Sequence, residues 1–213
     1  MSGYRMRKNF DWVSTLAAEA KTNPLVRIGE IAFRYGLSRA AATKALNRLK
    51  ARGLVERVAD GLYLNKLAAS VSARDIVHEL NPDSYISLGT ALAEWGLSSQ
   101  NPVATTCVTT SRGRKIKAGA IEIVYRKISR ELFWGYTEKK GRYRDYKIAE
   151  PEKALLDWIY FTLKDGLPVQ FDEIQFEKLS RSRLVTYAKK YPSTVVQTLF
   201  FPLLEGQITG LRP

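Results

Sequence analysis

The stretch Gly36–Leu64, GLSRAAATKALNRLKARGLVERVADGLYL, carries the decisive pattern of the chain. Gly36 follows an apolar period at helical spacing (Ile28, Ile31, Ala32, Tyr35). It can take the left-handed conformation that a tight turn after a helix requires. Leu37 then reads as a buried plug. Ser38 reads as the N-cap of a helix running to about Arg52, with Ala42, Ala45, Leu46 and Leu49 inward and Gly53 closing it. The outward residues are Arg39, Ala40, Thr43, Lys44, Asn47, Arg48 and Arg52. The basic residues Arg39, Lys44, Arg48, Lys50 and Arg52 share that face with no carboxylate, whereas a merely solvated face mixes its signs. Beyond Gly53, Leu54–Val58 and Leu62–Leu64 flank Ala59-Asp60-Gly61. Asp-Gly between two β-prone runs predicts a hairpin turn whose central residues both take positive φ.

Upstream, Phe10, Val13, Leu16, Ala17 and Ala20 recur at helical spacing behind Asn9, which reads as an N-cap of a helix to Lys21. Asn23-Pro24 stops that helix and Leu25–Arg27 reads as a short strand. Two helices joined by a Gly-Leu-Ser turn make helix-turn-helix geometry, in which the second helix enters the major groove of DNA. With its hairpin, Gly36–Leu64 resembles the winged helix-turn-helix superfamily of transcriptional regulators. Arg39, Ala40, Thr43, Lys44 and Asn47 are the expected base-edge contacts. Arg and Lys suit guanine, Asn suits adenine, and the methyls of Thr43 and Ala40 suit thymine. Ser38, Arg48, Arg52 and the wing's Arg57 are expected on phosphates, which position the protein without reading sequence. The competing readings are a solvated helical face and a winged helix that contacts protein.

The chain has 213 residues, 45% of them hydrophobic, enough for two modest domains: residues 1–66 and residues 67–213. No run reaches the roughly 18 consecutive apolar residues of a membrane span. Met1–Phe10 is basic with no apolar run behind it, so a cytoplasmic protein without a membrane partner is expected. Cys107 is the single cysteine, which excludes an intramolecular disulfide and a cysteine-built zinc site. The net charge of +13 favours a polyanionic partner. It is concentrated in two places: residues 1–66 hold 13 Lys/Arg against 5 Asp/Glu, and residues 112–147 hold 12 against 4. Between them, residues 67–111 hold 1 against 4, and residues 148–213 balance at 8 against 8.

After residue 66 the expected fold is a mixed α/β domain, making the chain α+β overall. Ser72 is placed to cap a helix through Ile76, Val77 and Leu80. Tyr85–Ser87 is extended, and Leu88–Trp95 is helical and closed by Gly96. Val103–Thr109, Ile121–Tyr125 and the alternating Tyr143–Tyr146 read as strands, with Ser111–Lys115 a basic turn. From Pro151 a helix turns Ala154, Leu155, Trp158 and Ile159 inward, and the remainder to Leu204 reads as mostly helical. Glu150, Glu152 and Asp157 with Lys153 have the composition of a metal-dependent nuclease site. Their place at a helix start is better explained by the helix dipole. His78 has no evident partner in sequence, Cys107 sits among strand residues, and no glycine-rich phosphate loop is present. No metal, cofactor or catalysis is expected.

Four segments carry a second resemblance: YISLGTALAEWGL (Tyr85–Leu97), VTTSRGRK (Val108–Lys115), Tyr125–Tyr136 and IAEPEKALLDWIY (Ile148–Tyr160). They resemble the C-terminal domain of the AbiEi antitoxins, and with the winged helix the resemblance extends from about Pro24 to Tyr160. It implies an antitoxin and autorepressor, paired with a nucleotidyltransferase toxin of the AbiEii type and binding double-stranded DNA in its own promoter. Residues 161–213 match no pattern. The alternative is a plain regulator whose C-terminal domain dimerises or senses a ligand. Winged helices read short half-sites in symmetric pairs, so the operator is expected to be an inverted repeat. A second basic patch is expected from Arg112, Arg114, Lys115 and Lys117 at one turn and Lys139, Lys140, Arg142 and Arg144 at another, interleaved with Tyr125, Trp134, Tyr136 and Tyr143. It serves either extra phosphate contact or antitoxicity.

Overall fold

The computed structural model describes residues 11–204, and the chain divides into two compact units between Ser72 and Ala73. In the first, α1 (Trp12–Glu19), β1 (Leu25–Arg27), α2 (Ile28–Arg34), α3 (Arg39–Ala51), β2 (Val55–Ala59) and β3 (Leu62–Asn65) follow in order. The strands pair antiparallel in the order β1-β3-β2. Ala42, Leu46 and Leu49 recur on one side of α3, and that side joins Leu16, Val26, Ile28, Ile31, Val55 and Tyr63 in a single apolar core. Burying each leucine contributes about 1.5–3 kcal/mol. The fully buried Asn65 ties the hairpin to α1: its Nδ2 donates to the Leu16 carbonyl at 2.8 Å and its Oδ1 accepts from the Leu67 N–H at 3.1 Å.

Local details depart from the sequence reading. Asp11 caps α1, its Oδ1 accepting from the Val13 and Ser14 N–H groups at 3.0 and 3.2 Å, while Asn9 and Phe10 lie outside the described residues. At the wing tip Gly61 has φ of 66°, but Asp60 does not share the positive φ. A register shift between Arg57 and Ala59 lets the hairpin close without it. Leu37 is half-buried at the rim of the core rather than a buried plug, its N–H bonded to the Ala32 carbonyl at 2.9 Å.

The second unit contains the single-turn α4 (Val77–Leu80), β4 (Ser84–Ile86), α5 (Leu88–Glu94), β5 (Thr105–Thr109), β6 (Arg114–Ala118) and β7 (Ile121–Lys127). β8 (Tyr136–Lys139), β9 (Tyr146–Ala149), α6 (Pro151–Lys164), α7 (Arg181–Ala188) and α8 (Ser193–Leu204) complete it. The six strands form one mixed sheet in the order β6-β7-β5-β4-β9-β8. The parallel pairs β5/β7 and β4/β9 alternate with antiparallel ones, and β6 and β8 are its two edges. α6 packs against α5, α7 and α8. The chain is thus α+β, a winged helix-turn-helix followed by a mixed α/β unit.

Here too the differences have local causes. The helix expected from Ser72 splits into a 3-10 turn, Ala73–Asp75, and α4, because Asp75 turns inward and its Oδ1 accepts from the Tyr143 N–H at 3.1 Å. That same bond takes Tyr143 out of the sheet, so β9 begins only at Tyr146. Val103 is 96% exposed and precedes β5. Trp158 is half-buried rather than inward. Residues 165–180 hold no α-helix and only a 3-10 segment at Phe176–Lys178, so the remainder is less helical than expected.

Candidate nucleic-acid interface

The Ser38 side chain caps α3, its Oγ accepting from the Ala41 N–H at 3.2 Å, and this fixes which residues the helix turns outward. Arg39, Ala40, Thr43, Lys44, Asn47, Arg48 and Ala51 line one shallow open hollow on its outer face. All but Thr43 are exposed. Thr43 is half-buried, and its Oγ1 donates to the Arg39 carbonyl at 2.8 Å. No salt bridge or side-chain hydrogen bond engages Arg39, Lys44, Asn47, Arg48 or Arg52 among the described residues. The first turn of α3 carries no acidic residue. The helix N-terminus and the cations therefore present positive potential, which no carboxylate among the described residues meets at Arg39, Lys44 or Arg48, while Arg52 at the far end of α3 feels the Asp11 carboxylate. Arg57 differs: it is bonded within the wing, to Asp60 Oδ1 at 2.9 Å and to the Ala59 carbonyl at 3.4 Å.

The basic segment of the second unit is not one patch. Arg112, Arg114, Lys115 and Lys117 stand on or beside edge strand β6. Lys139, Lys140, Arg142 and Arg144 lie on or after β8, at the opposite edge. Five strand spacings separate the edges, about 24 Å. Most of these cations are also occupied. Arg114 donates to the Leu80 carbonyl and lies over the Tyr125 ring. Lys115 pairs with Glu122 at 2.5 Å, Lys140 with Asp145 at 2.6 Å and Arg144 with Glu79 at 3.5 Å. Lys139 bonds Glu94 at 3.0 Å and lies 3.6 Å from the Trp95 ring centroid. Tyr125 is buried, and Trp134, Tyr136 and Tyr143 are half-buried.

The carboxylates assigned to the start of α6 do not cap it. Glu150 occupies the N-cap position without a side-chain cap bond, and instead accepts from the Tyr187 hydroxyl. Glu152, 3% exposed, accepts from the Ser180 N–H at 2.8 Å. Lys153 and Asp157, four residues apart on the inner face of α6, are both fully buried and paired at 2.5 Å. Asp157 also accepts from the hydroxyls of Tyr85, Ser87 and Tyr191 at 3.0, 2.8 and 2.7 Å. The Lys153 ammonium donates to the Tyr85 and Tyr191 oxygens at 2.8 Å each and lies near the faces of Tyr85, Trp134 and Tyr191. Gly135 leaves room for it, since a Cβ there would stand 3.1 Å from the Lys153 stem. Burial lowers the lysine's pKa against the opposing pull of Asp157, and burial raises those of Tyr85 and Tyr191. The network binds β4 and α6 to the residues before α8. The sequence shows Lys153 and Asp157 at i,i+4 around the apolar Ala154-Leu155-Leu156, but the pair belongs to the core and not to the helix end expected for it.

His78 is half-buried and does have partners: its Nε2 lies 2.9 Å from the Ser84 carbonyl and 3.3 Å from the Lys147 N–H. Burial lowers its pKa. Cys107 is fully buried, which raises its thiol pKa far above the ordinary range. Among the described residues, no three His, Cys, Asp or Glu side chains gather as a metal-binding group. No helix among them is long and apolar enough to cross a membrane.

Residues 10–62 match the MarR family, a stretch that covers α1 through the turn of the wing. No curated protein matches the chain. Among solved structures, the RV2827C protein from Mycobacterium tuberculosis has a similar fold, with a TM-score of 0.61 over 94% of this chain and 78% of that one. At 13% identity the likeness is one of fold alone.

Proposed function

We propose that the chain is a DNA-binding transcriptional regulator that places α3 in the major groove, represses its own promoter and acts as the antitoxin to a nucleotidyltransferase toxin. The observation that carries the DNA-binding part is the contrast between the two basic regions. Arg39, Lys44 and Arg48 on α3 meet no carboxylate among the described residues, whereas most of the cations on β6 and around β8 and β9 are already paired. An unquenched cationic helix face of this size matches the phosphate lattice of a duplex. Affinity for the promoter is expected to fall steeply with salt, with protection over an inverted repeat whose half-sites lie about one helical turn apart. Gel shifts and footprinting test both, and a salt-insensitive complex or a single asymmetric site would count against the proposal.

The antitoxin part rests on the resemblance of Tyr85–Leu97, Val108–Lys115, Tyr125–Tyr136 and Ile148–Tyr160 to the AbiEi domain. Three of these supply the buried network through Tyr85, Ser87, Trp134, Lys153 and Asp157. Co-expression with the nucleotidyltransferase encoded beside it is expected to restore growth. Growth arrest that persists while operator binding is intact leaves a regulator whose second unit dimerises or senses a ligand.

In the wing, Asp60→Asn keeps the side-chain chemistry of the turn while releasing Arg57 from its carboxylate. The variant is expected to bind all duplexes more tightly, and its log–log salt dependence should steepen by about 0.9, one additional phosphate contact. An unchanged slope would show that Arg57 makes no such contact.

A further inference from the structure

We propose that α3 reads a half-site centred on A·T pairs, with Thr43 meeting a thymine methyl through its own methyl group and Asn47 reading an adenine. This rests on α3 being the DNA-reading helix. Ala40, Thr43, Asn47 and Ala51 recur at spacings of three, four and four, so they form one line along the outer face, and all four line the same hollow. From Ala40 to Ala51 that line is about 16 Å long. At about 100° per residue, Arg39 falls on one flank of the line and Lys44 and Arg48 on the other, Lys44 the nearest to it. The middle of the reading face is therefore small and largely apolar, and its charges stand to the sides.

The hydroxyl of Thr43 is committed to its own helix through the 2.8 Å bond to the Arg39 carbonyl. A donor already engaged is not offered to a base, and the methyl is what Thr43 brings to a partner. Along the major groove, the C5-methyl of thymine is the apolar group a base pair presents. The Asn47 amide is exposed and has no hydrogen-bond partner among the described residues, so its paired donor and acceptor are free to match N7 and N6 of adenine. Ala40 and Ala51 add further methyls but no polar group. The line itself carries no cation, so a guanine is read by Arg39, Lys44 or Arg48 to the sides of the centre.

The test uses the full chain. Selection from randomised duplexes first defines the preferred site, and each thymine in it is then replaced singly by uracil, which removes only the C5-methyl. The expected result is an A·T centre, with one thymine at which uracil weakens wild-type binding about fourfold, the worth of one buried methyl. Thr43→Ser, which keeps the hydroxyl, is expected to lose the same factor on the thymine site and nothing more on the uracil site. Thr43→Val, which keeps the methyl and the β-branching, is expected to bind as wild type does. A G·C centre, a flat uracil scan, or a Val variant as weak as the Ser variant would overturn the assignment while leaving DNA binding intact. A chain that selects no sequence at all would remove the DNA-reading role of α3 and this proposal with it.

Discussion

Asp157→Asn is expected to destabilise the second unit by about 3–5 kcal/mol at pH 7, because it leaves the fully buried Lys153 ammonium without its counter-charge. The loss is bounded, since an unpaired buried lysine can give up its proton. Holding it neutral at pH 7 costs no more than about 4.6 kcal/mol relative to an ordinary lysine. The sign of the pH dependence follows. Burial already lowers the Lys153 pKa and Asp157 opposes that, so removing the carboxylate lowers it further. Between the lowered folded pKa and the ordinary one, the unfolded chain holds a proton that the folded chain lacks, and stability rises with pH. The deficit of the variant should therefore shrink from about pH 7 to pH 10. Adding Lys153→Met should flatten that dependence. Urea unfolding followed by tryptophan fluorescence reports mainly on this unit, which holds Trp95, Trp134 and Trp158 against Trp12 alone in the first. A deficit independent of pH would show that Lys153 carries no charge in the native protein.

That network also marks where the sequence stopped being legible. The winged helix could be read because its determinants are local: Ser38 and Gly36 bracket a turn, Ala42, Leu46 and Leu49 keep one period, and Asp60-Gly61 closes a hairpin. The helix starting at Pro151 was equally plain. Its inward Ala154, Leu155 and Ile159 were plain too, but that it also buries Lys153 and Asp157 was not, because an i,i+4 Lys/Asp pair looks the same on a solvated face as inside a core. Only the tyrosines arriving from β4 and from before α8 decide between the two. The sheet order was out of reach for a related reason. β4 pairs with β9 through Ile86 and Ile148, and nothing in either short segment specifies so distant a partner. Tyr143 alternated convincingly as a strand residue until Asp75 took its N–H. Charge counting is blind in the same way: it gives the cations of residues 112–147 but not that Glu122 pairs within the segment, nor that Glu79 and Glu94 come from elsewhere in the unit to meet the others.

Lys44→Ala together with Asn47→Ala is expected to weaken binding to the selected operator about a hundredfold. Each lost base contact is worth about 1–3 kcal/mol. Both side chains are exposed on α3 and neither belongs to the apolar core, so the replacement leaves the packing of Ala42, Leu46 and Leu49 untouched. Alanine is also the stronger helix former, so α3 itself is not weakened. The two substitutions should separate by their effect on unrelated DNA. Asn47→Ala removes no charge and is expected to cut preference for the operator about tenfold while leaving non-specific affinity and its salt slope nearly unchanged. Lys44→Ala removes one cation and should lower both. Arg48→Ala serves as the contrast: on the flank of the face it is expected to weaken all sequences about equally and to reduce the salt slope by about 1. Competition gel shifts against operator and scrambled duplexes, repeated across a salt series, distinguish these patterns. Operator preference that survives the double replacement, in a protein whose melting temperature is unchanged, would show that α3 is not the reading head and would move sequence recognition to the wing.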